Sequence, residues 1–239
     1  MSLSLAGAVL ALHFAGPAAA CVADKTVGPL SGASADAPDS TLVALYESGE
    51  TFADFLAEAD ARRALWVRHW EQGKVPADVL AQARAIPGRW RLLVVALDAC
   101  SDSVNTIPFI ALLVAAVPNL EMRIIAPDAG RNLLNTRRTP DGRAATPTVI
   151  ILAADGSDAG CWIERPAVLQ DLAQAERAAG SMDAWPRKKQ DWYDADAGES
   201  TIREIVAGVA AAASGVPRCG SPPATTPSAT IDYGDSTLY

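Results

Sequence analysis

The residue best suited to do chemistry in this sequence is a cysteine placed between a strand and a helix. The apolar run at 92–97 indicates a buried strand, and Cys100 stands just before a helical pattern. At a helix N-terminus a thiol faces unpaired backbone N–H groups and the positive end of the helix dipole, and both favour the thiolate. The position of Cys100 therefore predicts a nucleophilic sulfur.

Neighbouring carboxylates oppose that ionisation. Asp98 and Asp102 each lie two residues from Cys100, and a negative charge at that distance disfavours a thiolate. The hydroxyl groups of Ser101 and Ser103 would donate hydrogen bonds to a thiolate and favour it. The sequence leaves open which effect is larger. Asp102 has two interpretations of its own: it caps the helix, or it is a base that takes a proton from Cys100 or from a leaving thiol.

Strand and helix patterns alternate around this cysteine, as is typical of an α/β domain. The strand before Cys100, the helix after it and the next strand imply a parallel pair joined by a helical crossover. Two later strands separated by a short turn imply an antiparallel hairpin. Helices are expected at 52–71, 76–86, 101–117, 166–179, 185–193 and 201–213, with capping boxes at Thr51 and Thr201. Strands are expected at 92–97, 120–126, 146–152 and 160–164, and a loop at 127–146.

Composition narrows the classes of partner. The chain has 239 residues, of which 50% are hydrophobic, enough for a substantial core in a single domain. A net charge of −8 argues against nucleic acid or an anionic membrane surface as the main partner. The two histidines, His13 and His69, give little material for a His-based metal site, and the four cysteines form no C-x-x-C pair. We expect no metal and no cofactor.

The N-terminus predicts export. Residues 1–20 combine a short apolar segment with small residues at 18–20, which is typical of a cleavable signal. Cys21 follows directly and resembles a bacterial lipobox cysteine, which would carry a lipid and provide the protein's only contact with a membrane. One alternative to lipidation is simple cleavage of the signal. The alternative to export is that residues 1–20 are an apolar extension of a cytoplasmic protein. We expect a place in the bacterial cell envelope or periplasm.

The composition of the chain also predicts where the folded domain begins and ends. Segment 21–44 is rich in Ala, Gly, Ser, Pro and Asp and is expected to be a flexible tether, 45–213 the folded domain and 214–239 a disordered tail. Cys161 and Cys219 either form a disulfide that fixes this tail or remain separate, with Cys161 a small buried hydrophobic residue and Cys219 a free thiol.

Two stretches resemble the thioredoxin superfamily. They are 92–108, which contains Cys100, and 145–149, which contains Pro147. The similarity covers about residues 45–210 and is closest to bacterial thioredoxin-like proteins with one active-site cysteine. It implies a three-layer α/β/α sandwich with a mixed sheet of about four strands and additional N- and C-terminal helices. It also implies a cis Pro147 that faces Cys100, with Thr146 offering its backbone to an extended substrate.

Two positions depart from the redox-active pattern. Ala99 and Ser103 stand where such proteins have tryptophan and a second cysteine, and a serine hydroxyl cannot resolve a mixed disulfide. The resemblance therefore implies a monothiol C-x-x-S site, with Cys100, Ser103 and Asp102 as its catalytic residues.

The implied function is thiol–disulfide oxidoreduction or isomerisation on protein or low-molecular-weight thiols and disulfides. Thr146, Pro147 and Arg143 would bind the substrate. Arg143 would favour the thiolate or bind the carboxylate of a thiol such as glutathione, unless it is only a solvated loop residue. The alternative function is a redox-inactive thioredoxin fold that binds a peptide or a protein partner.

Overall fold

The computed structural model describes residues 40–216 and 218–219 of the protein. In this part of the chain a five-stranded sheet has helices on both faces. The helices are α1 (Ser40–Ser48), α2 (Phe52–Glu58), α3 (Arg63–Gln72), α4 (Ala77–Ala85), α5 (Ser101–Ala116), α6 (Arg131–Thr136), α7 (Ala167–Ala178), a 3₁₀ turn (Met182–Ala184), α8 (Trp185–Asp196) and α9 (Glu199–Ala213). The strands are β1 (Trp90–Val95), β2 (Leu120–Ile125), β3 (Thr148–Leu152), β4 (Asp158–Ile163) and β5 (Arg218–Cys219).

The sheet is mixed, with strand order β2-β1-β3-β4-β5. The central strand β1 pairs in parallel with β2 and antiparallel with β3, and β3 and β4 form the expected antiparallel hairpin. The α/β class, the three layers and the four predicted strands are confirmed. The short β5 adds a fifth strand, parallel to β4, within the tail that was expected to be disordered from residue 214.

The sheet separates two apolar cores. Because side chains alternate along a strand, Leu92 and Val94 of β1 face one layer and Leu93 and Val95 face the other. The larger core includes side chains from α2, α3, α4, α5 and α9, and the smaller one includes side chains from α1 and α6. Burial on both faces explains why β1 and β3 are nearly continuous hydrophobic runs.

Helices α1 and α6 correct two predictions. Helix α1 begins inside the supposed tether 21–44, and its Leu42 is buried in the smaller core. Helix α6 lies inside the supposed loop 127–146, where Leu133 and Leu134 pack into the same core. In both cases a short apolar pattern gains its helical structure from packing on the sheet. The supposed signal 1–20 lies outside the described residues.

The single helix expected at 52–71 is two helices. Between α2 and α3 the chain turns at Arg62, which has a φ of 56°. The backbone N–H groups of Asp60 and Ala61 donate to a carboxylate oxygen of Asp98 at 3.1 and 2.8 Å. These bonds satisfy two N–H groups in the turn. They also attach the turn to Asp98, which lies two residues before Cys100.

Two strand and helix limits also differ from the prediction. Leu97, assigned to the first strand, lies beyond its end and is exposed. Helix α9 begins at Glu199 and not at a Thr201 capping box. Glu204 accepts hydrogen bonds from the Trp162 indole at 2.7 Å and from the Ala167 backbone at 2.8 Å, so it caps α7 instead. None of the helices in the described ranges is long and apolar enough to cross a membrane.

Helix α5 depends on a contact with α3. Pro108 lies inside α5 and has no N–H, so the carbonyl of Val104 lacks its usual helical donor. His69 replaces that donor, with Nδ1 2.8 Å from the Val104 oxygen. Because a carbonyl only accepts, Nδ1 carries the hydrogen. Burial lowers the pKa of His69, which favours the neutral ring.

Replacing His69 with alanine should therefore destabilise the domain. The His69→Ala variant leaves the Val104 carbonyl without its donor, which costs about 1–3 kcal/mol in the free energy of unfolding. Urea unfolding followed by circular dichroism measures the change. The matched control is Gln72→Ala, at an exposed position of the same helix, with an expected change below about 0.5 kcal/mol. Equal midpoints for both variants would contradict the role assigned to His69.

Candidate active site

Cys100 lies at the junction of α5 with the segment before β3. It is the N-cap residue of α5, and the backbone N–H of Ser103 points to its Sγ at 3.4 Å. On its other side, Sγ lies 3.2 Å from the carbonyl oxygen of Thr146. The sulfur thus contacts the helix N-terminus and the chain that leads into β3.

The peptide bond between Thr146 and Pro147 is cis, as the resemblance implies. Strand β3 begins one residue later, where Thr148 pairs with Val95 at the end of β1. The same register brings the two connections together, because Cys100 follows β1 and Pro147 precedes β3. The structure therefore places three of the predicted site residues, Cys100, Thr146 and Pro147, side by side.

The sulfur of Cys100 is oxidised in this structure. Cys161 and Cys219 form one disulfide, and Cys100 also belongs to a disulfide. No cysteine in the described part of the chain is a free thiol. The 1% exposure of Cys100 is therefore the exposure of a disulfide-bonded side chain. Cys21, the lipidation candidate, lies outside the described residues.

Four hydrogen bonds to Asp98 and Ala99 hold the loop before Cys100. The Asp98 carboxylate is bound by the turn between α2 and α3, as described above. The Asp98 carbonyl accepts from the Trp66 indole at 3.0 Å, and the Ala99 carbonyl accepts from Arg62 Nε at 2.8 Å. The sequence alone indicates Asp98 only as a charge that opposes the thiolate. In the structure Asp98 fixes the loop that leads from β1 into α5.

Asp102 is a buried ion-pair partner. Its side chain is 2% exposed, and Oδ2 lies 2.9 Å from Lys189 Nζ and 3.3 Å from Arg165 Nη2. Its Oδ1 accepts a hydrogen bond from the Tyr193 hydroxyl at 2.8 Å. The capping interpretation is wrong, because Cys100 itself is the N-cap of α5. Both carboxylate oxygens have partners, which argues against a role as base.

A second buried carboxylate extends this network. Glu164, 1% exposed, lies 2.5 Å from Arg165 and receives two hydrogen bonds of 3.0 Å from Arg143. The Nε of Arg143 donates to Asp141 at 2.8 Å. The hydrogen bonds that Arg143 donates to Glu164 are the main reason that the pKa of Arg143 is raised. Arg143 is thus held by ion pairs to Glu164 and Asp141, which corrects the solvated-loop alternative. Its binding of a substrate carboxylate stays a prediction.

Sequence reasoning missed four residues of this network. Glu164 and Arg165 follow β4, and Lys189 and Tyr193 lie on α8, so all four are more than 60 residues from Cys100. The spacing of Lys189 and Tyr193, four residues apart, places them on one helix face. That spacing was the only local signal, and it did not indicate a partner. Burial raises the pKa of Tyr193 well above its ordinary value, which keeps its hydroxyl a donor.

Ser103, three residues after Cys100, is fully buried. Within the described ranges its hydroxyl has no hydrogen-bond partner. The Cys161–Cys219 disulfide lies elsewhere, where it joins β4 to β5 across a Cα–Cα distance of 4.3 Å. The described ranges contain no cluster of three or more His, Cys, Asp or Glu side chains that could hold a metal ion.

Removing the Asp102 charge should destabilise the domain. Asp102→Asn leaves Lys189 without its carboxylate and weakens the pairing of Arg165, which costs about 3 kcal/mol in the free energy of unfolding. Urea unfolding measures the change. The matched control is Asp194→Asn, which breaks a half-exposed pair with Arg68 and should cost less than about 1 kcal/mol. A loss at Asp102 no larger than at Asp194 would contradict the buried network.

Comparison with known proteins agrees with this fold. One solved structure that is similar is a protein of unknown function, PA1234, from Pseudomonas aeruginosa, with 24% identity, a TM-score of 0.53, and coverage of 72% of this chain and 95% of that chain. Another is an HIV epitope scaffold, with 22% identity, a TM-score of 0.52, and coverage of 69% and 94%. These likenesses show the fold, and no curated protein matches the chain. Residues 49–178 match the family model described as Thioredoxin, which is more than half of the sequence, so the chain belongs to the thioredoxin family.

Proposed function

We propose that this protein carries out thiol–disulfide exchange at Cys100. The observation that carries the proposal is the position of one sulfur atom. Cys100 Sγ lies 3.4 Å from the Ser103 N–H at the start of α5 and 3.2 Å from the carbonyl before the cis Pro147. Its occurrence in a disulfide is consistent with a sulfur that exchanges.

The exchange step begins from reduced Cys100. Its thiolate attacks one sulfur of a substrate disulfide, the substrate S–S bond breaks, a mixed disulfide forms and one substrate thiolate leaves. The Ser103 N–H and the helix dipole stabilise the attacking thiolate. The Thr146 carbonyl opposes it, because an acceptor oxygen favours the S–H form. A substrate N–H that donates to Thr146 would engage that oxygen and reduce its opposition.

The substrate class that best fits is an extended peptide with a disulfide. Backbone binding at Thr146 recognises a chain in the manner of an added strand. Arg143 supports this choice indirectly, because three of its five N–H groups donate to Glu164 and Asp141. These ion pairs compete with the carboxylates of a small thiol such as glutathione. Protein disulfides are therefore preferred to low-molecular-weight ones.

A binding module without redox turnover is the second candidate. One observation favours it: Ser103 stands where a redox-active thioredoxin has its second thiol. Such a module would bind an extended peptide beside Pro147 without using the sulfur. Peptide binding that is unchanged in Cys100→Ser, together with no exchange by the wild-type protein, would identify this function.

Exchange is tested in a variant that carries Cys161→Ser and Cys219→Ser, so that the second disulfide does not contribute thiols. After reduction, this protein should form a mixed disulfide with an extended peptide disulfide, as measured by mass spectrometry and by release of the peptide thiol. Adding Cys100→Ser should lower the rate more than about tenfold, or about 1.4 kcal/mol in the barrier. The matched control is Ser214→Ala, at the exposed C-terminal end of α9, which should keep the rate. An unchanged rate in the Cys100→Ser protein would contradict the proposal.

Export to an oxidising compartment of the cell envelope is part of the same proposal. The Cys161–Cys219 disulfide supports it, because stable disulfides are rare in a reducing cytosol. Expression of the full chain in a bacterium should give a periplasmic product whose mass is reduced by cleavage near residue 20. A full-length protein that stays in the cytoplasmic fraction would support the cytoplasmic alternative.

A further inference from the structure

The two carboxylates nearest to Cys100 in sequence have different partners in the structure. Both Asp98 and Asp102 lie two residues from the cysteine, where a negative charge opposes a thiolate. The Asp98 carboxylate accepts hydrogen bonds from the backbone N–H groups of Asp60 and Ala61. The Asp102 carboxylate is bound instead by cationic side chains. The charge beside Cys100 therefore depends on how far those cations compensate Asp102.

Lys189 is the last cation of a chain of ion pairs that passes through Asp102. Its Nζ lies 2.9 Å from Asp102 Oδ2, and Arg165 Nη2 lies 3.3 Å from the same oxygen. Arg165 is shared with Glu164 at 2.5 Å, and Glu164 also pairs with Arg143 at 3.0 Å. Cations and carboxylates thus alternate. Within the described ranges Lys189 pairs with one carboxylate only, that of Asp102.

The other end of this chain lies at the protein surface. Arg143 pairs with Asp141 at 2.8 Å, and Asp141 pairs with Arg177 at 2.5 Å. The Arg177 side chain is 46% exposed, so solvent and salt screen its charge. Lys189 is only 13% exposed. Of the two terminal cations, Lys189 is the one that acts on the site.

Removing Lys189 would leave Asp102 partly uncompensated. Its remaining cation, Arg165, is shared with Glu164. Asp102 lies two residues after Cys100, an advance of about 3 Å along the axis of α5. Coulomb's law for a separation of about 10 Å and an effective dielectric constant of about 20 gives a change of about one pH unit in the titration of a thiol.

We infer that Lys189 promotes the ionisation of Cys100 by compensating the charge of Asp102. This inference rests on the proposed function, because it concerns the thiolate that attacks the substrate disulfide. Lys189 is a positioning residue, since its contact is with the Asp102 carboxylate. Helix α8, which carries Lys189, lies beyond the 49–178 family match. The added helix thus supplies a charge that the matched region does not contain.

Other titratable or charged side chains face this part of the site from the elements packed around it. They are Asp98 before α5, Arg62 at the start of α3, Glu164 and Arg165 after β4, His69 on α3 and Tyr193 on α8. Burial lowers the pKa of His69 and raises that of Tyr193 well above its ordinary value, so both side chains are neutral at neutral pH. The balance there is set by the carboxylates and the cations.

Titration of the Cys100 thiol tests this inference. In a full chain whose other three cysteines are replaced with serine, the ultraviolet absorbance of the thiolate, after subtraction of the Cys100→Ser protein, measures the ionised fraction. Lys189→Gln removes the charge but keeps a donor, so the midpoint pH should rise by about 0.5–1 unit. Below the midpoint the ionised fraction then falls about threefold to tenfold. Lys189→Met should give the same rise, and Lys189→Arg should keep the parent midpoint.

The matched control is Lys188→Gln, which removes the same charge from the adjacent residue. Lys188 is 47% exposed and pairs with Glu176 at 2.7 Å, so its removal should move the midpoint by less than about 0.2 unit. Circular dichroism checks that each variant is folded. Equal midpoints in the Lys188→Gln and Lys189→Gln proteins would overturn the inference. A rise of the same size in the Lys189→Arg protein would also overturn it, because that variant keeps the charge.

Exchange with a peptide disulfide separates this inference from the proposed function. A less acidic thiol is a stronger nucleophile once ionised, so the exchange rate of Lys189→Gln below the midpoint should fall by only about twofold to threefold. Exchange by the parent protein together with an unchanged midpoint in Lys189→Gln would overturn the inference and leave the proposed function intact. A raised midpoint in Lys189→Gln with no mixed disulfide in any protein would support the role of Lys189 and contradict the proposed function.

Discussion

The pairing of β1 with β3 is the constraint on which the site depends. These two strands are antiparallel, with Val95 opposite Thr148. The chain that leaves β1 towards Cys100 therefore begins beside the chain that enters β3 from Pro147. A contact of 3.2 Å between Cys100 Sγ and the Thr146 oxygen follows from this register, since a shift of one residue would turn the side chains of either strand to the opposite face. The two apolar cores hold the register because both faces of each strand are buried.

A buried charge network then fixes the orientation of α5. Asp102, in the first turn of α5, is joined to Arg165 after β4 and to Lys189 and Tyr193 on α8. Burying such charges is costly, and an apolar cluster of equal volume could be at least as stable. What the network supplies is a defined geometry, since each charge has only a few acceptable positions. Helix α8 lies beyond the 49–178 family match, so the support of this site includes residues outside that match.

The parts of the site that local patterns could predict are those formed by neighbours in sequence. Cys100 at a strand end and Pro147 before a strand are visible in this way, and the cis bond followed from the family resemblance. Asp102 shows the limit: an acidic residue in a first helical turn usually caps, and only the folded chain brings Lys189 and Arg165 to it. The ion pair of Arg143 was missed for the same reason, because its partner Glu164 lies 21 residues away. The break at Arg62 was missed because its stabilising carboxylate, Asp98, belongs to another element.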